Sequence, residues 1–330
     1  MVKSKVWTVK TAFDGKVQTS NFELIEEEVS DNLKDDAYLI EALHWTVDPY
    51  MRTSELGRVK PGQCMAGEQI AKVIASKNSS HPVGSLVRVF AGWRTHTLIY
   101  NDVEQKVGRM PELGDLPLSL TLGVMGMPGM TAYFGFLELC QPKEGDVVLV
   151  NGAAGAVGSL VGQIAKIKGC KVVGCAGTDD KCKWLKELGF DEVFNYKKVD
   201  LSEALKAAAP DGFDCFFDNI GADFTATALK HMKQFGRVSI CGQISSYNDK
   251  APPKGEYPFM FILGKQLKIE GFIVMRWYQR WAEGEKAMAQ WIREGKIKYK
   301  ETVYKGFENM PKAFVGLFDG ANTGKAIISA

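Results

Sequence analysis

The sequence predicts an α/β fold: a doubly wound parallel sheet in the later part of the chain, preceded by a separate antiparallel, barrel-like β domain. Three observations predict it. From about residue 130 apolar strand-like runs alternate with amphipathic stretches of helical spacing, the rhythm that parallel β-α-β units require. At the first strand-to-helix junction of that region three glycines, Gly152, Gly155 and Gly158, stand three residues apart. Before about residue 125 the β-like runs are short and broken by turn residues such as Pro61-Gly62, Pro82 and Gly84.

In chain order, the runs Tyr38–Leu43, Glu68–Ala75, Gly84–Phe90 and Thr95–Tyr100 read as strands of the first domain. Val147–Val150 is a compact apolar run, as a strand buried on both faces requires. Gly155–Lys168 reads as a helix, Lys171–Cys175 as a strand and Lys181–Leu188 as an amphipathic helix. Phe213–Phe217 reads as a strand, Thr225–Gln234 as a helix, and Arg237–Cys241 and Lys268–Val274 as strands. Trp281–Glu294 has Ala287, Met288 and Trp291 at helical spacing. The tail from Lys298 to Ala330 returns to short β-like runs around Gly306, Gly316 and Gly324 and is expected to rejoin the first domain. The resulting division is 1–125, 126–293 and 294–330, with no internal repeat and no low-complexity linker.

Composition narrows the function classes. With 45% hydrophobic and 24% charged residues the 330-residue chain reads as an ordinary globular protein. A formal net charge of +2 provides no basic stripe for nucleic acid or anionic lipid, so small neutral or amphipathic ligands fit better. The start, MVKSKVWTVK, lacks the apolar run of a secretory signal. No stretch approaches the roughly 18 consecutive apolar residues of a membrane span. The seven cysteines form no C-x-x-C and are an odd number, so they read as reduced, mostly buried thiols of a cytoplasmic protein.

The glycine turn carries the chemistry. In Val147-Val-Leu-Val-Asn-Gly-Ala-Ala-Gly-Ala-Val-Gly158 the first glycine serves a tight turn and the second lets main chain approach a pyrophosphate. The third allows close helix–strand packing, and the helix N-terminus faces the phosphates. This is a Rossmann-type dinucleotide turn, although Ala153 and Ala154 depart from the G-x-G-x-x-G spacing. At the end of the next strand, Ala176-Gly-Thr-Asp-Asp-Lys181 has no acid at the tip for ribose hydroxyls. Thr178 and Lys181 can meet a 2′-phosphate, Asp179 and Asp180 would repel one if they pointed inward, and Lys181 alone also reads as a solvated helix residue. NADPH is the favoured cofactor.

No metal site is legible. Only His44, His81, His96 and His231 are present, with no H-x-H or H-E pair. Where zinc dehydrogenases carry G-H-E, this chain has Ala66-Gly67-Glu68, so Gly67 takes the histidine position. A site without a Lewis acid favours hydride transfer to an acceptor that spreads charge, such as an α,β-unsaturated carbonyl, whose enolate a few hydrogen-bond donors can hold.

Four loops are candidates for substrate and cofactor. Val47-Asp-Pro-Tyr-Met-Arg52 reads either as a structural loop with an Asp48–Arg52 pair or as a substrate loop presenting Tyr50. Gly123–Tyr133 reads either as a domain crossover or as an adaptable, methionine-bearing wall that includes Met127. Asp218-Asn219-Ile-Gly221 and Cys241–Tyr247 follow strands, where parallel sheets present ligands, so Asn219 is a cofactor candidate. Tyr247 reads as the phenol that donates to the substrate oxygen, or else as a surface residue.

Together VDPYMR (Val47–Arg52), GMPGMTAY (Gly126–Tyr133), the Asn151–Gly158 turn, FNYK (Phe194–Lys197), Asp218–Gly221 and GFENMP (Gly306–Pro311) resemble the zinc-free medium-chain dehydrogenase/reductase superfamily, in its branch of eicosanoid and alkenal reductases. The likeness runs over nearly the whole chain. It implies a GroES-like β-barrel domain beside the Rossmann domain, and NADPH-dependent reduction of alkenals, enones and the 13,14 double bond of 15-oxo-prostaglandins. It also implies NADP-dependent oxidation of the leukotriene B4 12-hydroxyl, in a cytoplasmic homodimer without nucleic-acid or membrane partners. Carried over, cofactor contacts fall on Gly155, Ala156, Val157, Gly158, Lys181, Tyr196, Asn219, Cys241, Gly242, Gln243, Ile244, Ser245, Ser246 and Tyr247, then on Phe272, Ile273, Val274 and Asn322. The pattern departs at Asn151-Gly152, where alanine is expected, and over Asn248–Tyr257. A quinone reductase of the same superfamily, or an NADPH-binding protein without turnover, are the competing readings.

Overall fold

A computed structural model describes residues 1–53 and 59–330. The strands β1 (Val2–Val9), β2 (Phe22–Val29), β3 (Tyr38–Thr46), β4 (Gln69–Ser76), β5 (Leu86–Val89), β6 (His96–Ile99) and β7 (Val107–Gly108) come first. There follow α1 (Met127–Leu137), β8 (Val147–Val150), α2 (Gly158–Ile167), β9 (Lys171–Ala176), α3 (Asp179–Glu187), β10 (Glu192–Asn195), α4 (Leu201–Ala208) and β11 (Phe213–Asp218). The chain ends with α5 (Ala222–Lys230), β12 (Met232–Ile240), α6 (Phe259–Lys265), β13 (Lys268–Gly271), α7 (Trp281–Arg293), β14 (Glu301–Lys305), α8 (Met310–Phe318) and β15 (Lys325–Ser329).

Two compact units result. The first comprises Met1–Leu122, Glu301–Ala321 and Ala326–Ala330; the second comprises Gly123–Lys300 and Asn322–Lys325. Compared with the expected division at 125 and 293, residues 123–125 and 294–300 also belong to the second unit, and the short segment 322–325 returns to it.

The first unit is built on a seven-stranded sheet in which β14, β15, β3, β4, β5 and β7 lie side by side, with β1 and β2 forming their own antiparallel hairpin. Two bulges bend β3, so that one of its edges pairs with β6 over Tyr38–Glu41 and with β15 over His44–Thr46. That change of partner curls the sheet. Its core joins chain-distant residues, including Phe22, Trp45, Met51, Trp93, Phe307 and Phe314. The tail is not purely β-like. Met310, Ala313, Phe314 and Leu317 are buried at helical spacing, so the stretch around Gly316 is the helix α8.

The second unit is a six-stranded sheet in the order β10-β9-β8-β11-β12-β13, parallel throughout. The order reverses between β8 and β11, the switch point of a doubly wound sheet, where a crevice opens beyond the strand ends. The expected strand at Val147–Val150 stands as read. The helix expected over Thr225–Gln234 begins earlier and stops at Lys230, because Met232 already pairs with Phe213 as β12 begins. The short elements β10 and α4 and the helix α1 carry too few periodic residues to be legible alone. Among the described residues no helix is long and apolar enough to cross a membrane. All seven cysteines are free, and Cys140, Cys170, Cys175 and Cys215 are buried.

Candidate functional site

The glycine turn links β8 to α2. Gly152 adopts a positive φ of 55°, which a glycine takes without strain. A Cβ on Gly158 would lie 2.6 Å from the Gly152 carbonyl, so only glycine allows the helix to start that close to the turn. Gly155 has open space beside it apart from that same carbonyl at 3.3 Å. Among the described residues no carbonyl accepts the N–H groups of Ala156, Val157 or Gly158. Three orphaned donors at the start of a ten-residue helix, beside a glycine with no side chain, fit a pyrophosphate. Asn322 lies against this turn: Gly324 donates to the Ala154 carbonyl at 2.8 Å, and the Asn322 amide caps the Gly324 carbonyl at 2.7 Å. Gly162 and Gly174 add to the close packing at Gly158, their missing Cβ atoms making room for the Phe190 ring.

The end of β9 settles where Asp179 goes. Asp179 is held by the Asn195 amide at 2.8 Å and by Lys198 at 2.5 Å, on the flank of α3, so it is neutralised there. Thr178 caps α3, its hydroxyl accepting from Lys181 N–H at 3.3 Å. Burial first, and the neighbouring Lys197 charge second, hold the Lys181 ammonium below the usual lysine range. A Cβ on Gly177 would lie 3.1 Å from both the Tyr196 hydroxyl and Lys197 Cε. Tyr196 and Lys197 therefore approach Gly177, and the Lys197 charge acts on Lys181, so the two ammonium groups and the phenol make a positive site that fits an anion. Lys197 was legible only as part of the FNYK run; its approach to Gly177 depends on the parallel pairing of β10 with β9.

At the switch point Asn219 follows β11. Its N–H donates to the Asn151 side-chain oxygen at 2.6 Å and its amide nitrogen donates to the Asn151 carbonyl at 2.8 Å. The loop after β12 is stapled to it: Cys241 and Gly242 donate to the Asp218 carbonyl, Ile244 to Asn219 and Ser245 to Ile220. Ser245 Oγ also donates to Ile220 at 2.7 Å, and Ser246 Oγ to Gln243 at 3.2 Å. Burial, with the Asp218 charge, pushes the Cys241 thiol up to about 12. Tyr247 turns its hydroxyl back over this loop, where it accepts the Gln243 N–H at 3.3 Å. A Cβ on Gly242 would stand 2.8 Å from that oxygen. Burial raises the phenol's pKa, partly offset by the Gln243 hydrogen bond, so Tyr247 is protonated at neutral pH with its own proton available to donate.

Beyond β13, the Phe272 ring is wedged where a Cβ on Gly135 would be and faces Trp277 at 5.5 Å. Ile273 is exposed and Val274 buried, so this segment can offer a ligand its backbone and Ile273. Thus Gly155–Gly158, Lys181, Tyr196, Asn219, Cys241–Tyr247 and Phe272–Val274 all follow the carboxyl ends of parallel strands, with Asn322 beside the turn. Met127 opens α1 half-buried, whereas Met125 and Met130 are core residues, which narrows the methionine wall to one side chain.

Tyr50 lies in the first unit, in the turn Pro49–Arg52. Burial, then the charges of Asp48 and Glu68, hold its phenol well above the usual range. Asp48 accepts from the Thr46 hydroxyl, and Arg52 donates to the carbonyls of Phe13 and Gly15 at 3.4 and 3.0 Å. Gly67 backs onto Trp93 and Met51: a Cβ there would lie 3.0 Å from Trp93 Nε1 and 3.2 Å from Met51 Cε. The space a ligand side chain would need is already filled. Among the described residues no cluster of three or more His, Cys, Asp or Glu could hold a metal ion.

The comparisons agree on the family. A family model described as zinc-binding dehydrogenase matches residues 156–292, and one described as the N-terminal domain of oxidoreductase matches 5–107. The chain is 52% identical to prostaglandin reductase 1 of Bos taurus, with 100% of both chains covered. It is 40% identical to the NADP(+)-dependent 2-alkenal reductase of Nicotiana tabacum, over 88% of this chain and 86% of the relative. CurA from Vibrio vulnificus, solved in complex with NADPH, superposes with a TM-score of 0.90 at 35% identity, covering 99% of each chain.

Proposed function

This chain belongs to the prostaglandin reductase branch of the medium-chain dehydrogenase/reductase superfamily, with GroES-like and Rossmann units, and from that premise we propose that it is an NADPH-dependent reductase of the carbon–carbon double bond of α,β-unsaturated ketones and aldehydes. The substrates in this reading are alkenals and 15-oxo-prostaglandins, reduced at the 13,14 bond, with NADP-dependent oxidation of the leukotriene B4 12-hydroxyl as a second activity. Relatives named for prostaglandin and alkenal reduction support the double-bond reduction.

The observation that carries the chemistry is the Tyr247 hydroxyl, fixed at the strand-end crevice by the Gln243 N–H and kept protonated by burial. Bound NADPH supplies a hydride. The chain's own residues do the rest. The N–H groups of Ala156–Gly158 hold the pyrophosphate, and Lys181, Tyr196 and Lys197 take the 2′-phosphate. Tyr247 donates to the carbonyl oxygen as negative charge arrives there, which lowers the barrier to enolate formation. No metal is needed for an acceptor that spreads its charge by conjugation.

The reading includes a cytoplasmic homodimer. The open edge at β13 and the exposed Phe259, Met260 and Leu263 of α6 support a second copy on this face. The test is a panel of an alkenal, a cyclic enone, 15-oxo-prostaglandin E2, leukotriene B4 and a quinone, run with NADPH and NADH. Loss of reduced-nicotinamide absorbance with enones and NADPH is expected. Turnover of quinones alone, or of nothing despite NADPH binding, refutes the assignment.

A further inference from the structure

Asn151 follows β8 directly, just before the glycine turn, and both it and Asp218 are completely buried. Asn151 Nδ2 donates to Asp218 Oδ1 at 2.7 Å, while its Oδ1 accepts the Asn219 N–H at 2.6 Å. A carboxylate can only accept and a backbone N–H can only donate, so the orientation of this amide is settled by its partners. The same logic fixes Asn219. Its Nδ2 donates to the Asn151 carbonyl at 2.8 Å, and among the described residues no donor reaches its Oδ1. Asp218 Oδ1 also accepts from the N–H groups of Ile220 and Gly221 at 3.0 Å each, and its Oδ2 from the Thr225 hydroxyl.

One buried cluster thus ties together the loops after β8, β11 and β12, the last through the Asp218 carbonyl. We propose that Asn151 is a positioning residue for the cofactor: it holds Asn219 so that the Asn219 Oδ1 is presented as an acceptor for a hydroxyl or amide donor of the dinucleotide. This rests on the NADPH reading above. Asn151 touches no ligand itself; it acts by giving the Asn219 amide a single orientation before binding, which removes an ordering cost from association.

The test uses the isosteric variant Asn151→Asp with Asn151→Leu and Asn219→Ala, and reads NADPH affinity by fluorescence from pH 5.5 to 8.5. In Asn151→Asp two carboxylates meet, so they share a proton at low pH and repel at high pH. The protonated pair restores both hydrogen bonds. The other titratable groups facing the cluster are the thiols of Cys175 and Cys241, both held protonated by burial. Asn151→Asp is expected to bind within about threefold of the parent at pH 5.5 and about 10–100-fold more weakly at pH 8, the range of a lost hydrogen bond to a charged group. Asn151→Leu loses that affinity at every pH.

Asn219→Ala leaves the Asn151–Asp218 bond in place and is expected to lose about tenfold in NADPH affinity at every pH. It answers the question even if Asn151→Asp fails to fold at pH 8. Parent-like affinity of folded Asn151→Asp at pH 8, or of Asn219→Ala, overturns the proposal. If the unaltered chain binds no NADPH, the cofactor reading falls first, and this proposal with it.

Discussion

Lys181→Ala separates the two dinucleotides. In the free protein the Lys181 ammonium is disfavoured, by burial first and by the Lys197 charge second. A 2′-phosphate carries close to two negative charges at neutral pH and reverses that balance. A hydrogen bond to a charged group contributes about 1.5–3 kcal/mol, so NADPH should bind about 10–150-fold more weakly in the variant. NADH has no phosphate at that position and should change by less than about twofold. Lys197 is exposed, so Lys197→Ala should weaken NADPH by about 2–5-fold, within the range of surface ion pairs. The pH dependence has a definite sign. The Lys181 pKa is lowered in the free chain and rises when the phosphate binds, so binding takes up a proton. Affinity for NADPH therefore falls as pH rises through the lowered value, and Lys181→Ala should flatten that alkaline limb. Titrations of NADPH and NADH fluorescence measure both effects. Equal losses for the two cofactors, or none for NADPH, would refute the pocket around Gly177.

Tyr247→Phe should lower the enone reduction rate about 10–1000-fold with NADPH affinity little changed, by the scale of single oxyanion donors; steady-state kinetics with one alkenal checks it, and full activity removes the phenol from the mechanism. Gly67→Ala forces a methyl against Trp93, which Phe22 and Phe314 hold at 5.3 and 5.7 Å, and should cost about 1–3 kcal/mol by urea denaturation. A silent Gly67→Ala would mean that this space is not filled. Gly162→Ala brings a Cβ to 1.9 Å from the Phe190 ring and should destabilise strongly, whereas Phe190→Leu in the same chain should recover part of the loss. The Cys241 thiol, pushed up to about 12, should resist iodoacetamide at pH 8 in the folded chain and react once urea exposes it. Rapid labelling of the folded chain at Cys241 would contradict the raised thiol pKa.

Much of the second unit was legible in the residues because its signals are local. An apolar run such as Val147–Val150 can only be a strand buried on both faces when glycines and a helix follow it. Gly152, Gly155 and Gly158 announce the turn by spacing alone. The first unit was less legible, since β15 and α8 owe their conformation to partners far away in the chain. Phe314, for example, packs on Trp93 and Phe22, more than two hundred residues earlier.

By itself the sequence determined the cofactor turn, the rhythm of a parallel sheet, the glycine at position 67 and the inventory of possible donors. These are properties of neighbouring residues, and backbone geometry translates them directly. Only the tertiary structure decided how the donors are used. It turned Asp179 toward Asn195 and Lys198, brought Lys197 to Lys181, folded the Tyr247 hydroxyl over Gln243 and returned Asn322 to the glycine turn. The physical reason is that hydrogen bonds and burial join whatever residues the strand order places side by side, and strand order is not a local property.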